Sequence, residues 1–352
     1  MNTIYENEII ENKMTELLNT RLDARALMTV DTSLSENAGL RKVINRYTYN
    51  GSVENLAKGE KNTVKGTVSF VPEYYDVKRY QQTFEYNDMD AMADPYIVDV
   101  AMQGAVTEIT NEINEEYFNE ILKVGTKFAY ENDGACYADF VDALSLIDCE
   151  IDSGLFIIMG SEARKQIRKD PDFISAKQGE IVYSGQFGTI CGVPVLFSKL
   201  MPSDRIVITN KNAVRFFVKK SASVEQARDI ETKDNTVVYE RHGLIALVDD
   251  TSSVILGKAP VMLNWNFIEN VDGQGMTQID PVDTPRADRD YYYLVSAPAI
   301  FENEAVDLEG WSKIEKSGFS FQGAERGKTV TVVEVDENCI AKRIAKHTYK
   351  AE

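Results

Sequence analysis

Asp88 to Gly125 reads DMDAMADPYIVDVAMQGAVTEITNEINEEYFNEILKVG, and the fold turns on it. Val98, Met102, Ala105, Ile109, Ile113, Tyr117 and Ile121 recur every three or four residues, the spacing of one helix face. Asp94 is placed to cap the run, Pro95 suits a first helical position, and Gly125 stops it. The spacing predicts a helix of about 30 residues, roughly 45 Å long. Its other side carries Glu108, Glu112, Glu115, Glu116 and Glu120, so that face is either wet or set against a basic partner. Gly104 inside the helix costs about 1 kcal/mol relative to Ala, and is read as a bend or a close crossing.

Upstream, Gly59 to Asn87 has a strand-like pattern, with Thr67 to Phe70 and Tyr80 to Tyr86 alternating on either side of Pro72 to Lys78. This predicts one long β-hairpin. Lys58, Lys61, Lys65, Lys78 and Arg79 make it a basic cluster in an acidic chain, either a solvated hairpin or an arm laid across an acidic neighbour. The first 45 or so residues read as an arm. Ile10, Met14, Leu17, Leu18 and Leu22 form a weak helical stripe that must pack on the chain's own core or on another subunit.

Downstream, helix and strand alternate. A helix on Phe140, Val141, Leu144 and Ile147 precedes the buried-strand run Leu155 to Met159, and Ser161 caps a short helix that ends before Asp170-Pro171. The unit continues through Glu180 to Tyr183, a glycine-punctuated hairpin from Gly185 to Phe197, the strand Arg205 to Thr209, and Val214 to Val218. Two longer strands, Ala222 to Thr232 and Val237 to Val248, join through the turn-rich Lys233-Asp234-Asn235. From about Leu263, proline-punctuated sequence and a terminal hairpin, Lys328 to Val335 with Ile340 to Tyr349, indicate a small β-rich tail.

The 352 residues include 56 acidic and 38 basic side chains, a net charge of −18, with 43% hydrophobic content, enough for sizeable cores. This disfavours a protein that grips nucleic acid over its whole surface, because phosphate neutralisation needs clustered Lys and Arg. The acidic N-terminus is unlike a secretory signal, and no apolar run approaches a bilayer span, which places the chain in the cytoplasm. Cys136, Cys149, Cys191 and Cys339 have neither CxxC spacing nor disulfide-scaffold density, so reduced thiols and no zinc are expected. His242 lies in a strand-like run and His347 in a polar segment. No nucleophile elbow, Walker loop, HExxH or dinucleotide fingerprint occurs, Gly273 and Gly275 sharing only a GxG, and the adjacent Asp249 and Asp250 read as a solvated turn. The reading is of a non-enzyme with no catalytic residue, no metal and no cofactor.

The order of elements, together with Asp88 to Pro95, Gly188 to Val195 and Val237 to Asp249, resembles the major capsid proteins of tailed bacteriophages, whose fold is shared with herpesvirus capsid floors and encapsulins. The match covers about Ala26 to Ala259. The resemblance implies an α+β capsid fold: N-terminal arm (residues 1–50), extended β-hairpin loop (51–88), spine helix of the peripheral domain (89–136), compact axial domain (137–218), peripheral-domain long β-hairpin (219–262) and a β-rich C-terminal extension or decoration domain (263–352). It implies a structural protein that self-assembles into pentamers and hexamers of an icosahedral shell around a double-stranded DNA genome. The partners implied are the chain itself, scaffold and portal proteins, and DNA enclosed without sequence-specific binding. No membrane is involved, and the place is the virion, assembled in the bacterial host cytoplasm. With only about 45 residues before the loop, a separate scaffold protein is expected, and no autocatalytic crosslink is expected at Lys58, Lys61 or Lys65.

The inter-subunit contacts expected from this reading are Lys58, Lys61, Lys65 and Arg79 on the loop, and Glu108, Glu112, Glu115 and Glu116 on the spine helix. Two alternatives stand beside it. One is an encapsulin-like cellular shell, expected to lack both arm and tail. The other is an acidic, β-rich surface adhesin that binds carbohydrate through Trp311, Tyr291, Tyr292 and Tyr293, aromatic residues that equally suit a core.

Overall fold

The computed structural model describes residues 24–36, 38–94, 96–147, 154–170, 188–269, 276–286, 288–314, 320–322 and 327–349. The expected N-terminal stripe from Ile10 to Leu22, the cap partner Pro95, Cys149, the strand Glu180 to Tyr183 and the GxG at Gly273 lie outside these residues. Two compact units are present: one of residues 1–124, 153–155 and 209–253, the other of 125–152, 156–208 and 254–352.

The first unit is a four-stranded sheet with a long helix packed on it. The strands run in the order Thr29–Asp31, Val214–Arg228, Asp234–Leu247, Lys78–Asn87. Val214–Arg228 and Asp234–Leu247 form the expected long hairpin, with Val214 opposite Leu247 and Arg228 opposite Asn235. Its first strand is continuous from Val214, so the expected boundary after Val218 falls inside one strand. Lys233 closes the turn at φ +64°, and the Asp229 carboxylate accepts the Glu231 amide at 2.8 Å. Gly243 is required: a Cβ there would lie 2.8 Å from the Phe217 carbonyl oxygen.

The long helix spans Ile97–Ile121, 25 residues against the expected 30. Val98, Met102, Ala105, Ile109, Ile113, Tyr117 and Ile121 are all buried, the face read from the sequence. It begins two residues after the expected Pro95 and ends at Ile121, three residues short of Val124, with Leu122 at the C-cap. Asp94 does not hold the N-cap of the long helix, which falls to Tyr96 without a side-chain cap bond, and a separate short helix, Asp88–Ala93, precedes it, capped by Asn87, which accepts the Met89 amide at 2.9 Å. Asp94 then accepts the Tyr96 amide at 2.9 Å in the link between the helices. Gly104 faces open space, with nothing within 4 Å of a built Cβ, so it marks no close crossing.

The expected hairpin within Gly59 to Asn87 does not form. Thr67–Asp76 pairs with Arg41–Asn50, Arg41 opposite Asp76 and Asn50 opposite Thr67, while Lys78–Asn87 joins the main sheet beside Asp234–Leu247. The reason is burial. Tyr80 and Tyr86 have the long helix and the sheet to cover them, whereas Thr67–Asp76 alternates without a buried face of its own. The two strands therefore part at Val77 into different sheets, and residues 41–50, read as arm, become the ribbon's second strand.

In the second unit, six strands run in the order Lys127–Tyr130, Val254–Lys258, Ile206–Asn210, Leu155–Met159, Val193–Phe197, Thr189–Ile190. The helices Tyr137–Ser145 and Ser161–Ile167 accompany them. Ser161 is the first helical residue and not the cap. Gly160 holds the cap position because a Cβ there would meet the Pro202 carbonyl oxygen at 2.2 Å, and Ser203 O accepts the free amides of Glu162 and Ala163 at 2.9 and 3.0 Å. The β-rich tail packs within this same unit: Phe301 lies under the Arg205 guanidinium at 4.4 Å, and Lys127 Nζ reaches Glu304 at 2.5 Å.

The tail has a five-stranded sheet, ordered Val261–Met262, Ala341–Thr348, Thr329–Val335, Asp290–Val295, Ser312–Lys313, and a three-stranded one, Trp265–Glu269, Met276–Pro281, Ser320–Gln322. Leu263, Trp265, Ile279, Tyr291, Val330, Val332 and Tyr349 form its core. The Trp265 and Tyr291 rings sit 5.1 Å apart. Among the described residues no helix is long and apolar enough to cross a membrane.

Candidate functional site

The surface that stands out is the ribbon of Arg41–Asn50 and Thr67–Asp76. Directly opposed residues of an antiparallel pair project to the same side, so register decides what each face carries. Val43 opposes Tyr74, Asn45 opposes Pro72, Tyr47 opposes Phe70 and Tyr49 opposes Val68, which puts four aromatic rings, two valines and a proline on one face. That face is bare. Tyr47 and Tyr49 are each 68% exposed, Phe70 58% and Tyr74 63%; the Tyr47 ring meets Phe70 at 6.1 Å between centroids, and its hydroxyl accepts the Asn45 side-chain amide at 3.3 Å.

The opposite face is anchored at the ribbon's base. Ile44, with Tyr75 beside it, packs into a cluster with Leu34, Phe217, Leu244 and Ala246. Lys42 Nζ lies 3.7 Å above the Phe217 ring. Arg46 reaches Glu73 at 3.0 Å and Asp250 at 3.4 Å, and the Tyr75 hydroxyl donates to Glu73 at 2.7 Å. Burial and this carboxylate push the Tyr75 phenol well above its ordinary pKa. The base is thus fixed to the body while the outer apolar face stays uncovered.

At the ribbon's tip, residues 51–66 form an ordered loop. Glu54 accepts the Thr63 amide at 2.7 Å and the exposed Glu60 accepts the Ala57 amide at 2.9 Å, tying the loop across itself. Lys58, Lys61 and Lys65 are exposed and make no ion pair among the described residues.

The remaining expected contact residues gather elsewhere in the unit. Lys78 to Gln82, Glu108, Ile109, Glu112 and Glu116 line a depression of about 360 Å³ between the edge strand and the long helix. Glu116 is spoken for: Lys78 Nζ lies 2.7 Å from one carboxylate oxygen and the Tyr80 hydroxyl donates to the other at 2.5 Å. The hydrogen bond to Glu116 raises the Lys78 pKa, and burial with the Glu116 charge raises that of Tyr80. Arg79 is spoken for as well, 2.7 Å from Glu240, whose other oxygen takes Lys220 at 2.5 Å. Lys220 first, then Arg79, holds the Glu240 carboxyl below its usual range. Glu108 and Glu112 remain open to solvent, and Glu115 is exposed outside the depression.

So the structure joins Arg79 and Glu116 to partners in their own chain and leaves Lys58, Lys61, Lys65, Glu108, Glu112 and Glu115 outward. The sequence reading missed the apolar ribbon face altogether. Its signal was the alternation Val43, Asn45, Tyr47, Tyr49, which lies within the stretch read as arm. Among the described residues no cluster of His, Cys, Asp and Glu is placed to hold a metal ion. The tail aromatics proposed for an adhesin are packed instead: Tyr291 is fully buried, and Tyr292 and Trp311 lie against the cluster of Ile300, Val333, Val335, Ala341 and Ile344.

No family model matches the chain. A curated relative, the major capsid protein of Staphylococcus phage phiMR11, is 19% identical over 266 residues, covering 73% of this chain and 96% of that protein. The capsid structure of cyanophage P-SCSP1u superposes with a TM-score of 0.51 at 12% identity, covering 66% of this chain and 86% of that one. A structure from Microbacterium phage Oxtober96 gives the same TM-score at 11% identity, covering 67% and 90%. Over about two thirds of its length the chain thus has the fold of the tailed-phage major capsid proteins.

Proposed function

We propose that this chain is the major capsid protein of a tailed phage, the subunit of an icosahedral shell built from pentamers and hexamers. The observation that carries the proposal is the ribbon. A two-stranded ribbon is marginal in water on its own, and large contiguous apolar patches on soluble proteins mark interaction surfaces. A face of Val43, Tyr47, Tyr49, Val68, Phe70 and Tyr74 held clear of the body is therefore an interface awaiting its partner, and a shell supplies that partner as another copy of the same chain. Folding of the unit and assembly of the shell become coupled, because much apolar area is buried only between subunits.

The role is structural, with no chemistry asked of any residue. Lys58, Lys61, Lys65, Glu108, Glu112 and Glu115 serve as contacts between subunits, while Arg79 and Glu116 brace the edge strand against the sheet and helix. A scaffold protein and a portal complete the assembly in the host cytoplasm, and the finished location is the virion. The net charge of −18 suits a shell filled after assembly, since an acidic wall does not trap the enclosed double-stranded DNA, which is bound without sequence preference.

Light-scattering mass and negative-stain microscopy of the purified chain, alone and with its scaffold, test this. Closed particles, or rings of five and six, are expected, and they persist in high salt because burial of the apolar ribbon face, and not the charged contacts alone, holds the subunits together. A chain that stays monomeric at every concentration, with scaffold supplied, overturns the reading.

A further inference from the structure

The ribbon carries one further chemical feature, at the end of its first strand. Asn50 is followed by Gly51, the one Asn-Gly pair in the sequence; every other asparagine precedes a residue with a side chain. An asparagine side-chain carbonyl carbon can close a five-membered ring with the next backbone nitrogen. Glycine at that next position leaves the nitrogen unscreened and the chain free to turn into the ring. The fold keeps the pair open to this reaction. Asn50 opposes Thr67 in the last rung of the ribbon, so Gly51 already belongs to the tip loop, and both residues are exposed. The Asn50 side chain makes no hydrogen bond among the described residues. Other asparagines are held: Asn87 accepts the Met89 amide at 2.9 Å, Asn114 the Ala24 amide at 2.8 Å and Asn210 the Ala213 amide at 3.0 Å, while Asn235 donates to Asp88 at 2.7 Å. Gly51 also has a local reason to be glycine. A Cβ there would lie 2.4 Å from the Tyr49 hydroxyl oxygen, and one at Gly66 2.3 Å from it, so the Tyr49 ring rests across the neck of the loop where the two glycines leave room. The glycine that keeps the neck narrow is the one that makes its neighbouring asparagine labile.

We propose that Asn50 is a self-modification site: in the free subunit it deamidates through a cyclic imide, and the altered chain is lost to shell assembly. The Gly51 nitrogen bonds to the Asn50 side-chain carbonyl carbon, the bond from that carbon to its amide nitrogen breaks, and ammonia leaves with the proton from Gly51. Water then adds to one of the two ring carbonyls. Opening on one side gives aspartate. Opening on the other gives isoaspartate, in which the main chain runs through the former side chain and is one methylene longer. Either product puts a new carboxylate on the last rung, and isoaspartate also displaces the tip relative to Tyr49 and Val68, the outermost pair of the bare apolar face. The loss to assembly rests on the shell reading; the modification itself does not.

The full chain is held in mildly alkaline buffer made with heavy-oxygen water, sampled over time, digested with trypsin and read by fragment mass spectrometry. The tryptic peptide Tyr47 to Lys58 holds both Asn50 and Asn55, so Asn55, which precedes Leu56, is an internal reference. Heavy oxygen is expected to enter at Asn50 of the folded chain at close to the rate found in the same peptide free in solution, with isoaspartate the larger product and Asn55 unchanged. Asn50→Gln, whose ring would need six members, is expected to stay unmodified. An Asn50 that reacts no faster than Asn55, or that is strongly slowed in the folded chain relative to the free peptide, overturns the site. For the second step, aged and fresh chains are assembled in parallel, with scaffold supplied. Particles are expected to be depleted several-fold in the isoaspartate chain relative to the starting pool, while aged Asn50→Gln loses no yield. Particles that carry isoaspartate in the pool's proportion overturn the link to assembly and leave the shell reading intact. A fresh wild-type chain that forms no particle overturns that link together with the shell reading, and the site then stands or falls on the subunit measurement.

Discussion

Arg41–Asp76 and Thr329–Thr348 are both antiparallel hairpins rich in apolar and aromatic residues, yet the first exposes a whole apolar face while the second buries nearly everything. In the C-terminal hairpin Val330, Val332, Val333, Val335, Ala341, Ile344 and Ala345 are each no more than 1% exposed, because Asp290–Val295 flanks one side and the Trp265 and Ile300 clusters fill both faces. The ribbon has no such neighbours beyond its base. What differs is not hydrophobicity but coverage. A strand pair covered within its own chain is a core element, and the same pair left bare is an interface.

The sharpest way to break this contrast is to place charge in each hairpin, two carboxylates on the bare face and one in the covered pair. Y47D/F70D is expected to abolish particle formation while leaving the circular dichroism and thermal midpoint of the subunit nearly unchanged. Val332→Asp, by contrast, buries an unpaired carboxylate and is expected to cost more than about 4 kcal/mol, enough to unfold much of the second unit in urea titrations. Equal damage to folding by both would erase the distinction drawn here.

Next in size is the buried charge of the tail. Glu334 is fully buried, paired with Arg343 at 2.5 Å and accepting the Tyr291 hydroxyl at 2.8 Å. Glu334→Gln leaves the guanidinium without its counter-charge and is expected to lower unfolding free energy by about 3 kcal/mol, read from the urea midpoint, with no effect on the first unit.

A pH experiment sharpens the role of the edge strand. Glu240 is held below its ordinary value of 4.5 by Lys220 and Arg79. A carboxyl lowered in the folded state contributes stability that is present above the unfolded pKa and is lost as pH falls through the folded value. The first unit should therefore weaken as acid is added below pH about 4.5, and Glu240→Gln should flatten that limb. A wild-type and variant chain with identical acid profiles would show that this cluster contributes nothing.

The smallest expected effect is at the helix. The Tyr117 hydroxyl is buried without a hydrogen-bond partner among the described residues, and burial raises its pKa. Tyr117→Phe should be neutral or stabilising by about 1 kcal/mol, checked by thermal melts, since it removes a desolvated polar atom from a packed face.

The long helix, the long hairpin and the terminal hairpin were legible because each carries its own period over many residues, with turn chemistry at its ends. Local boundaries were less so. Ser161 looked like a cap until the Pro202 carbonyl left room only for Gly160, and Asp94 lost the cap of the long helix to Tyr96, whose amide it accepts instead. The charged contact residues were found as residue types, but Arg79 and Glu116 proved to be engaged by Glu240, Lys78 and Tyr80, partners distant in sequence.

Sequence by itself determined that this is an acidic α+β chain without catalytic motifs, organised around one amphipathic helix, because composition and period are local properties. Only the tertiary structure decided that Thr67–Asp76 pairs backward with Arg41–Asn50 and not forward with Lys78–Asn87. Strand alternation says which residues share a face but not which strand lies alongside or what covers it. That choice was made by the helix and sheet, which bury Tyr80 and Tyr86 and leave Tyr47, Tyr49, Phe70 and Tyr74 facing outward.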